Sequence, residues 1–505
     1  MSETSQPAQD EAAQQPDPRR WRALAIISIA QLMVVLDATI VNIALPSAQA
    51  DLGISDGNRQ WVITAYALAF GSLLLLGGRV ADMWGRKNTF LTGLVGFAAA
   101  SAIGGAAANE GMMFASRALQ GVFGALLAPA ALSLLTVMFT DGKERAKAFG
   151  IFGAIAGGGA GVGLVLGGLL TEYLDWRWVF FVNIPIAAVA FVGATAFVVE
   201  PKGTRNRSPL DIPGTLLGTV GLVALVYGFT RAESEGWGDG VTLSMFVVTA
   251  VLLAAFIAVE RRTVAPLLPL RVVLDRNRGG SYLALGLAII AMFGLFLFLT
   301  YYLQLVKGYS PIRTGVAFLP MVAGMVVGST QIGARLMVRI QPRYLMGPGL
   351  LVAAVGMLIL TQLGVDSSYV GLILPAQILL GLGLGTTFMP AMSLSTYGVE
   401  PRDAGIASAM INTSQQIGGA IGTALLNTIA ASAATTYIAS NVAGASSPEL
   451  VQIQGQVHGY STAIWWATAI VALSSVVAFT LINAGKLGGQ TVAEGDEELA
   501  PVMAH

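Results

Sequence analysis

The chain has 505 residues, 55% hydrophobic and 11% charged, with a mean hydropathy of +0.70 and a formal net charge of zero. Soluble domains carry about 25% charged residues, so this composition excludes an ordinary soluble protein and predicts an all-α polytopic membrane protein. Cysteine is absent, which excludes disulfides and thiolate metal sites, and the two histidines, His458 and His505, lie outside the apolar runs, which argues against a buried metal or haem centre.

Residues 1–18 are rich in Gln, Ala, Pro and acid and read as a disordered tail, so 1–21 is assigned as an N-terminal cytoplasmic segment. Arg19, Arg20 and Arg22 lead into an apolar run too long for a signal-peptide core, so this run is read as a retained span. About fourteen spans are predicted, at 22–46, 60–80, 88–108, 112–138, 147–170, 177–199, 212–232, 239–259, 280–304, 313–335, 344–364, 368–391, 403–433 and 462–483. Asp37 lies in the middle of the first. A carboxylate near a bilayer midplane costs roughly 2.5–3.5 kcal/mol, and a chain keeps one when it faces a polar cavity and moves a proton, an ion or a substrate. Almost all other acids fall in loops or tails, with Glu172 marginal at the end of its helix.

The loop 78–87 joins spans two and three. Gly78 and Gly85 allow tight backbone geometry, and Asp82 with Arg79, Arg86 and Lys87 can form a charge cluster at the membrane face. Alternatively the basic residues only set topology. Arg117 lies near the start of span four, with Gly121, Gly124 and Ala128 on its face and Gln120 at i+3. Small residues let a neighbouring helix approach, so Arg117 is expected to face the bundle; the alternative is an arginine snorkelling to the interface. Span five carries Gly153, Gly157 and Gly161 on one row and Gly159, Gly163 and Gly167 on another, followed by Gly168. These rows serve either close packing or a pliable seam.

Span nine ends in Phe296 to Tyr302, read as interface anchors or as an apolar cavity wall. Span thirteen holds Asn412, Gln415 and Gln416, which either bond a neighbouring helix or line a cavity. With Asn42 and Gln120 they are the candidate substrate-cavity residues. No acid lies in the apolar part of span thirteen, which points to neutral or monocationic substrates. His458 falls in a long segment, 437–461, and reads as a solvated residue.

With the N-terminus inside, 22 of the 28 Lys and Arg residues fall on inside segments and 5 on outside segments, a split that places both termini in the cytoplasm. The ends of the chain also resemble each other at an offset of 261: Gly124, Pro129 and Ala130 map onto Gly385, Pro390 and Ala391, and Gly157, Gly158 and Gly161 onto Gly418, Gly419 and Gly422. The expected organisation is a six-helix half (22–199), a linker with two extra transmembrane helices (200–279), a second six-helix half (280–483) and a cytoplasmic tail (484–505). Parallel repeats of this kind place a transport site between the halves. Arg117 maps onto Ile378, so ion handling is assigned to the first half.

Four stretches resemble the major facilitator superfamily, and within it the fourteen-span drug:proton antiporters. They are Leu36 to Pro46, Gly78 to Lys87, Arg117-Ala118-Leu119-Gln120-Gly121 and Gly153 to Gly168, in the family's order across the first half. One position departs from the pattern: Leu164 stands where the family's span-five motif has proline. The resemblance implies a major facilitator fold and a role for Arg117 in proton transfer beside Asp37. It also implies a cytoplasmic gate at Gly78, Arg79, Asp82, Gly85, Arg86 and Lys87, and a seam between the halves at span five.

The expected function is export of amphipathic small molecules in exchange for protons across a bacterial plasma membrane. The chain is expected to act as a monomer, with no cofactor, metal or nucleic-acid partner. Span five lacks the GK[ST] ending of a nucleotide-binding loop, which argues against ATP drive. A dedicated exporter or proton symporter of one metabolite shares these features. A non-transporting receptor is the remoter alternative, and an enzyme would need a nucleophile–base pair or metal ligands that the apolar runs lack.

Overall fold

The computed structural model describes residues 19–139, 142–200, 211–263, 266–399, 404–441 and 447–485. The first half is α1 (Arg20–Leu52), α2 (Trp61–Trp84), α3 (Arg86–Gly105), α4 (Glu110–Met138), α5 (Gly142–Tyr173), the short α6 (Trp178–Phe181) and α7 (Asn183–Phe197). A helical pair follows, α8 (Ile212–Glu235) and α9 (Gly240–Glu260), then a turn, α10 (Leu270–Val273). The rest is α11 (Arg276–Tyr301), α12 (Pro311–Ala317), α13 (Leu319–Val327), α14 (Ala334–Leu336), α15 (Arg343–Leu360), α16 (Leu374–Thr396), α17 (Ala404–Asn441) and α18 (Pro448–Leu481). Among the described residues, thirteen helical stretches are long and apolar enough to cross a membrane. The 32-residue α5 supplies a further crossing. Successive crossings alternate in direction. The face carrying Arg20 and Leu481 is called the terminal face below, and its opposite the far face.

Local chemistry explains the breaks. Gly53 (φ 64°) ends α1, and Gly85 (φ 108°) makes the corner between α2 and α3. The sixth predicted span is interrupted at Val182, because Pro185 has no N–H to continue the preceding turn. The span predicted at 313–335 is α12, α13, a π-helical turn over Gly328–Gly333, and α14. Pro320 and four glycines weaken it as a single rod. Asp239 fixes the α8–α9 hairpin, accepting from the backbone N–H of Thr242 (2.9 Å) and Val241 (3.1 Å) and from Arg231 Nε (2.9 Å).

The largest departure from expectation is at 437–461. This stretch extends α17 to 38 residues and brings α18 to 34. At 1.5 Å per residue each is about 50–60 Å long, well beyond the ~30 Å hydrocarbon core. The two pack closely because Gly455 and Gly459 admit Ile438 and the Ala430 backbone. His458 is exposed as expected, but it lies on a helix and meets the Tyr437 ring at 4.9 Å.

Two large hydrophobic cores organise the described residues, and a small third joins α2, α8 and α17. One holds Ala23 to Val34 of α1 with the inner faces of α2, α3, α4 and α7. The other holds Ile40 to Ala48 of the same helix together with α11, α15, α16 and α18. Thus α1 belongs to the first half at the terminal face and to a core shared by both halves toward the far face. Asp37 sits at the junction.

Candidate functional site

The site is built on four helices and a break. Asp37 projects from α1, Arg117 and Gln120 lie one turn apart on α4, Ser101 comes from α3, and Asn183 opens α7. The interruption before α7 turns the Asn183 side chain inward. Asp37 Oδ2 accepts from Arg117 Nη1 at 2.6 Å, and Oδ1 accepts from Gln120 Nε2 at 2.8 Å and Asn183 Nδ2 at 2.9 Å. Arg117 Nη1 also donates to Gln120 Oε1 (2.7 Å), and its Nε to the Val62 carbonyl (2.8 Å). Gln120 Nε2 reaches Ser101 Oγ at 2.8 Å. The guanidinium lies 4.5 Å from the Tyr66 ring centre. None of the five polar side chains is more than 1% exposed.

This is a closed ion pair with a full donor shell. A buried pair is held only when its remaining hydrogen-bonding positions are satisfied, and removing one partner strands the other at a cost of about 3–5 kcal/mol. Two polar atoms beside it have no partner, Tyr66 Oη and Asn183 Oδ1.

The expected pairing of Asp37 with Arg117 is therefore present, and Arg117 faces the bundle rather than the interface. Two expectations are corrected. Asp37 does not line an open cavity: four helices enclose it. Gln120 is a ligand of the carboxylate and not a cavity residue, because its amide is consumed by Asp37, Arg117 and Ser101. Asn42, 7% exposed, bonds back to the Ala38 carbonyl of its own helix at 3.0 Å. On α17, Gln416 packs its Cβ against Gly71 of α2, Gln415 has a buried Nε2 without a partner, and Asn412 is half-buried. The structure does not gather Asn42 with these amides.

The loop cluster is also more divided than expected. Among the described residues Asp82 pairs with Arg86 (3.3 Å), and Arg86 Nε donates to Ser133 Oγ at 2.8 Å. Arg79 turns away to the Pro266 carbonyl (3.1 Å), and Lys87 Nζ to the Thr195 carbonyl (3.1 Å). Glu200, which sequence reasoning missed, accepts from the backbone N–H of Arg86 (2.9 Å) and Lys87 (3.3 Å) at the start of α3. An acid there satisfies otherwise unpaired N–H groups. Gly85 does make the corner, but Gly78 has ordinary room. The close approach belongs to Gly77, where a methyl group would stand 1.9 Å from the Ala125 carbonyl oxygen.

The glycines of α5 face two ways. A methyl at Gly163 would meet Thr39 Oγ1 at 2.0 Å, and one at Gly167 the Ile40 carbonyl at 2.8 Å, so this row lies on α1 beside Asp37. Gly161 faces Val322 of α13, and Gly168 faces Pro311 and Ile312 of α12. Gly153 and Gly157 fall outside the described side chains. Leu164 is buried, and α5 runs unbroken through it.

A second polar network closes the far face. Arg59 Nε donates to Asn427 Oδ1 at 3.1 Å, and Asn427 Nδ2 to the Asp56 carbonyl at 3.1 Å. Gln60 Nε2 donates to Thr230 Oγ1 at 3.1 Å, and the Tyr301 hydroxyl donates to Gln49. Gln304 reaches the Ile43 carbonyl at 2.9 Å, and Glu172 accepts from the Ile312 N–H at 3.0 Å. These contacts join the first half to the second and to α8. Each residue looks ordinary in the sequence, and only the fold assembles them.

Comparison with known proteins places these features. Residues 27–423 match the family described as Major Facilitator Superfamily. The chain is 54% identical to a puromycin resistance protein of Streptomyces alboniger over 479 residues, covering 94% of each chain. It is 39% identical to a cephamycin export protein of Amycolatopsis lactamdurans, covering 81% of this chain and 85% of that one. Its fold is similar to a bacterial homologue of the human lysosomal transporter Spinster in an inward-facing, occupied conformation. That match has a TM-score of 0.63 and 18% identity, covering 92% of this chain and 96% of the other. It also resembles a peptide transporter complexed with sulfate, at a TM-score of 0.62 and 16% identity over 92% and 96% of the two chains.

Proposed function

The chain belongs to the Major Facilitator Superfamily and is a multi-pass drug exporter within it, and from that premise we propose that it moves amphipathic antibiotics of the puromycin type outward in exchange for protons. The observation that carries the proton coupling is the enclosed Asp37–Arg117 pair at the junction of the two cores. The terminal face is the cytoplasmic one, as the basic residues favour, and the far-face network is the closed outer gate. The state described is then open toward the cytoplasm.

Protonation of Asp37 removes the charge that holds Arg117 Nη1, Gln120 and Asn183 around it. Stranding Arg117 is costly in a low dielectric, so the four-helix cluster rearranges. The α1 helix carries this to α5 through Thr39 and Gly163, and α5 meets the second half at α12 and α13. Coupling is thus mechanical: the acid does not touch substrate. Asp37 takes its proton from the outside and gives it to the cytoplasm as the halves rock. A proton crossing 100 mV supplies about 2.3 kcal/mol, and a pH unit about 1.4 kcal/mol. Together these support several-hundred-fold accumulation of a neutral solute.

Everted membrane vesicles test this. Energised vesicles should accumulate puromycin, and nigericin in potassium buffer, which collapses the pH difference, should release most of it. Uptake that follows ATP after both gradients are collapsed contradicts the proposal. A narrower reading, export of one antibiotic only, is favoured by the puromycin and cephamycin relatives, each named for a single compound. A panel of cations and neutral antibiotics in the same vesicles separates the two.

A further inference from the structure

The α8–α9 pair carries two acids that the transport mechanism does not use. Asp211 caps the start of α8, and its Oδ1 accepts from the Gly214 N–H at 2.9 Å. Glu260 ends α9, and its Oε2 accepts from the Leu268 N–H at 3.0 Å. Both were read from sequence as loop residues, yet Asp211 is only 6% exposed and Glu260 4%. Their other oxygens, Asp211 Oδ2 and Glu260 Oε1, are buried and have no partner. Both point into the same small space above Gly214: a methyl group at that position would stand 2.4 Å from Oδ2 and 2.9 Å from Oε1.

Two carboxylates sharing a buried site cannot both stay ionised. One proton between the unpaired oxygens converts the repulsion into a hydrogen bond and leaves no orphan atom. We propose that Asp211 and Glu260 form a proton-binding site, separate from Asp37, whose occupancy sets the position of Arg79 in the loop between α2 and α3. The proton belongs on Glu260, because the N-terminus of α8 supplies its donor to Asp211 and favours the carboxylate there. Release is simple: Glu260 gives its proton to water at the terminal face, and the site becomes doubly negative.

The cation positioned to answer that charge is Arg79. Its field reaches Glu260, and its Nη2 is bound to the Pro266 carbonyl in the segment that follows Glu260. Among the described residues, the other nearby charges are poorly placed. Arg261 and Arg262 are exposed, and Arg231 and Glu235 lie at the opposite end of α8. Asp82 pairs with Arg86, and α17, which packs on α8, has no charged residue between Ala404 and Asn441. Deprotonation therefore draws Arg79 toward the acids and off Pro266, which changes the loop that the transport proposal reads as a gate. Only that last link rests on the transport proposal.

Infrared spectroscopy of the intact protein in lipid nanodiscs tests the site without any transport. At neutral pH the native protein should show a protonated-carboxyl band that shifts when glutamate is carboxyl-labelled with carbon-13, and that fades as pH rises. Glu260→Gln should remove it, and Arg79→Gln should move its midpoint to higher pH. Absence of any protonated glutamate band in the labelled native protein overturns the site, whether or not the variants fold. A band that survives Glu260→Gln also overturns it, and a midpoint unmoved by Arg79→Gln overturns the role of Arg79.

Discussion

At the scale of single residues, Asp37 and Arg117 hold each other inside a shell of Gln120, Asn183 and Ser101 drawn from α4, α7 and α3. An acid in an apolar run is conspicuous because it is expensive, and Arg117 is conspicuous for the same reason. Ser101 and Asn183 are not: small polar residues are common in apolar helices, and nothing local says that a break before α7 turns Asn183 toward Asp37. Gln120 was legible as polar but not as a ligand, since its partners come from α1 and α3. The geometry makes a prediction about Arg117. Its Nη1 bridges Asp37 and Gln120 while its Nε holds the Val62 carbonyl. A lysine has one nitrogen and cannot reproduce that fork. Arg117→Lys should retain the fold, lose the Val62 bond, and reduce proton-driven uptake by at least tenfold with little change in substrate affinity, read as initial rates and binding on the same preparation.

At the scale of elements, the two glycine rows of α5 answer a question that sequence left open. Where described they pack, and what they pack against differs: Gly159, Gly163 and Gly167 lie on α1, while Gly161 and Gly168 face the second half. That makes α5 the bridge between the acid and the moving partner. A side chain at Gly163 would overlap Thr39 directly. Gly163→Val should therefore push α1 off α5 and uncouple transport, while Val at Gly158, where nothing lies within 4 Å, should be tolerated; vesicle uptake compares the two. The α8–α9 hairpin carries a pH dependence of its own. The Thr242 N–H and the Arg231 guanidinium hold the Asp239 carboxyl below its usual range. The unfolded chain then binds the extra proton first, so the capping contribution is complete above about pH 4 and is lost as pH falls through the lower native value. Asp239→Ala should lower the melting temperature at pH 7, and the difference should shrink as pH falls below about 4. The long α17–α18 hairpin was missed for a simple reason. Its outer part is rich in Ala, Ser, Thr and Gln, which reads as a loop when only apolar runs are counted.

At the scale of the whole molecule, the number and order of crossings followed from apolar length alone. The conformation did not, because it depends on contacts between residues hundreds of positions apart. Arg59 and Asn427 are the clearest case, and with Gln60, Tyr301 and Gln49 they hold the far face shut. Asn427→Ala removes its bonds to Arg59, the Asp56 carbonyl and Gln60 while the Arg59–Asp56 ion pair remains, so it should shift the population toward the outward-open state. The native chain has no cysteine, so a single cysteine at Ile43, buried under this closure, reports it cleanly. Its labelling from outside should be several-fold faster with Asn427→Ala than without, and equal rates would contradict the gate.

Asp37, sealed away from substrate, is proposed to couple substrate export to protons. Proteoliposomes loaded at acid pH and challenged with puromycin test it most directly, with proton release and puromycin binding followed on native protein and on Asp37→Asn. Substrate-triggered proton release is expected in the native protein, none in Asp37→Asn, and puromycin binding in both. Proton release that survives in Asp37→Asn, or binding lost together with it, would contradict that role.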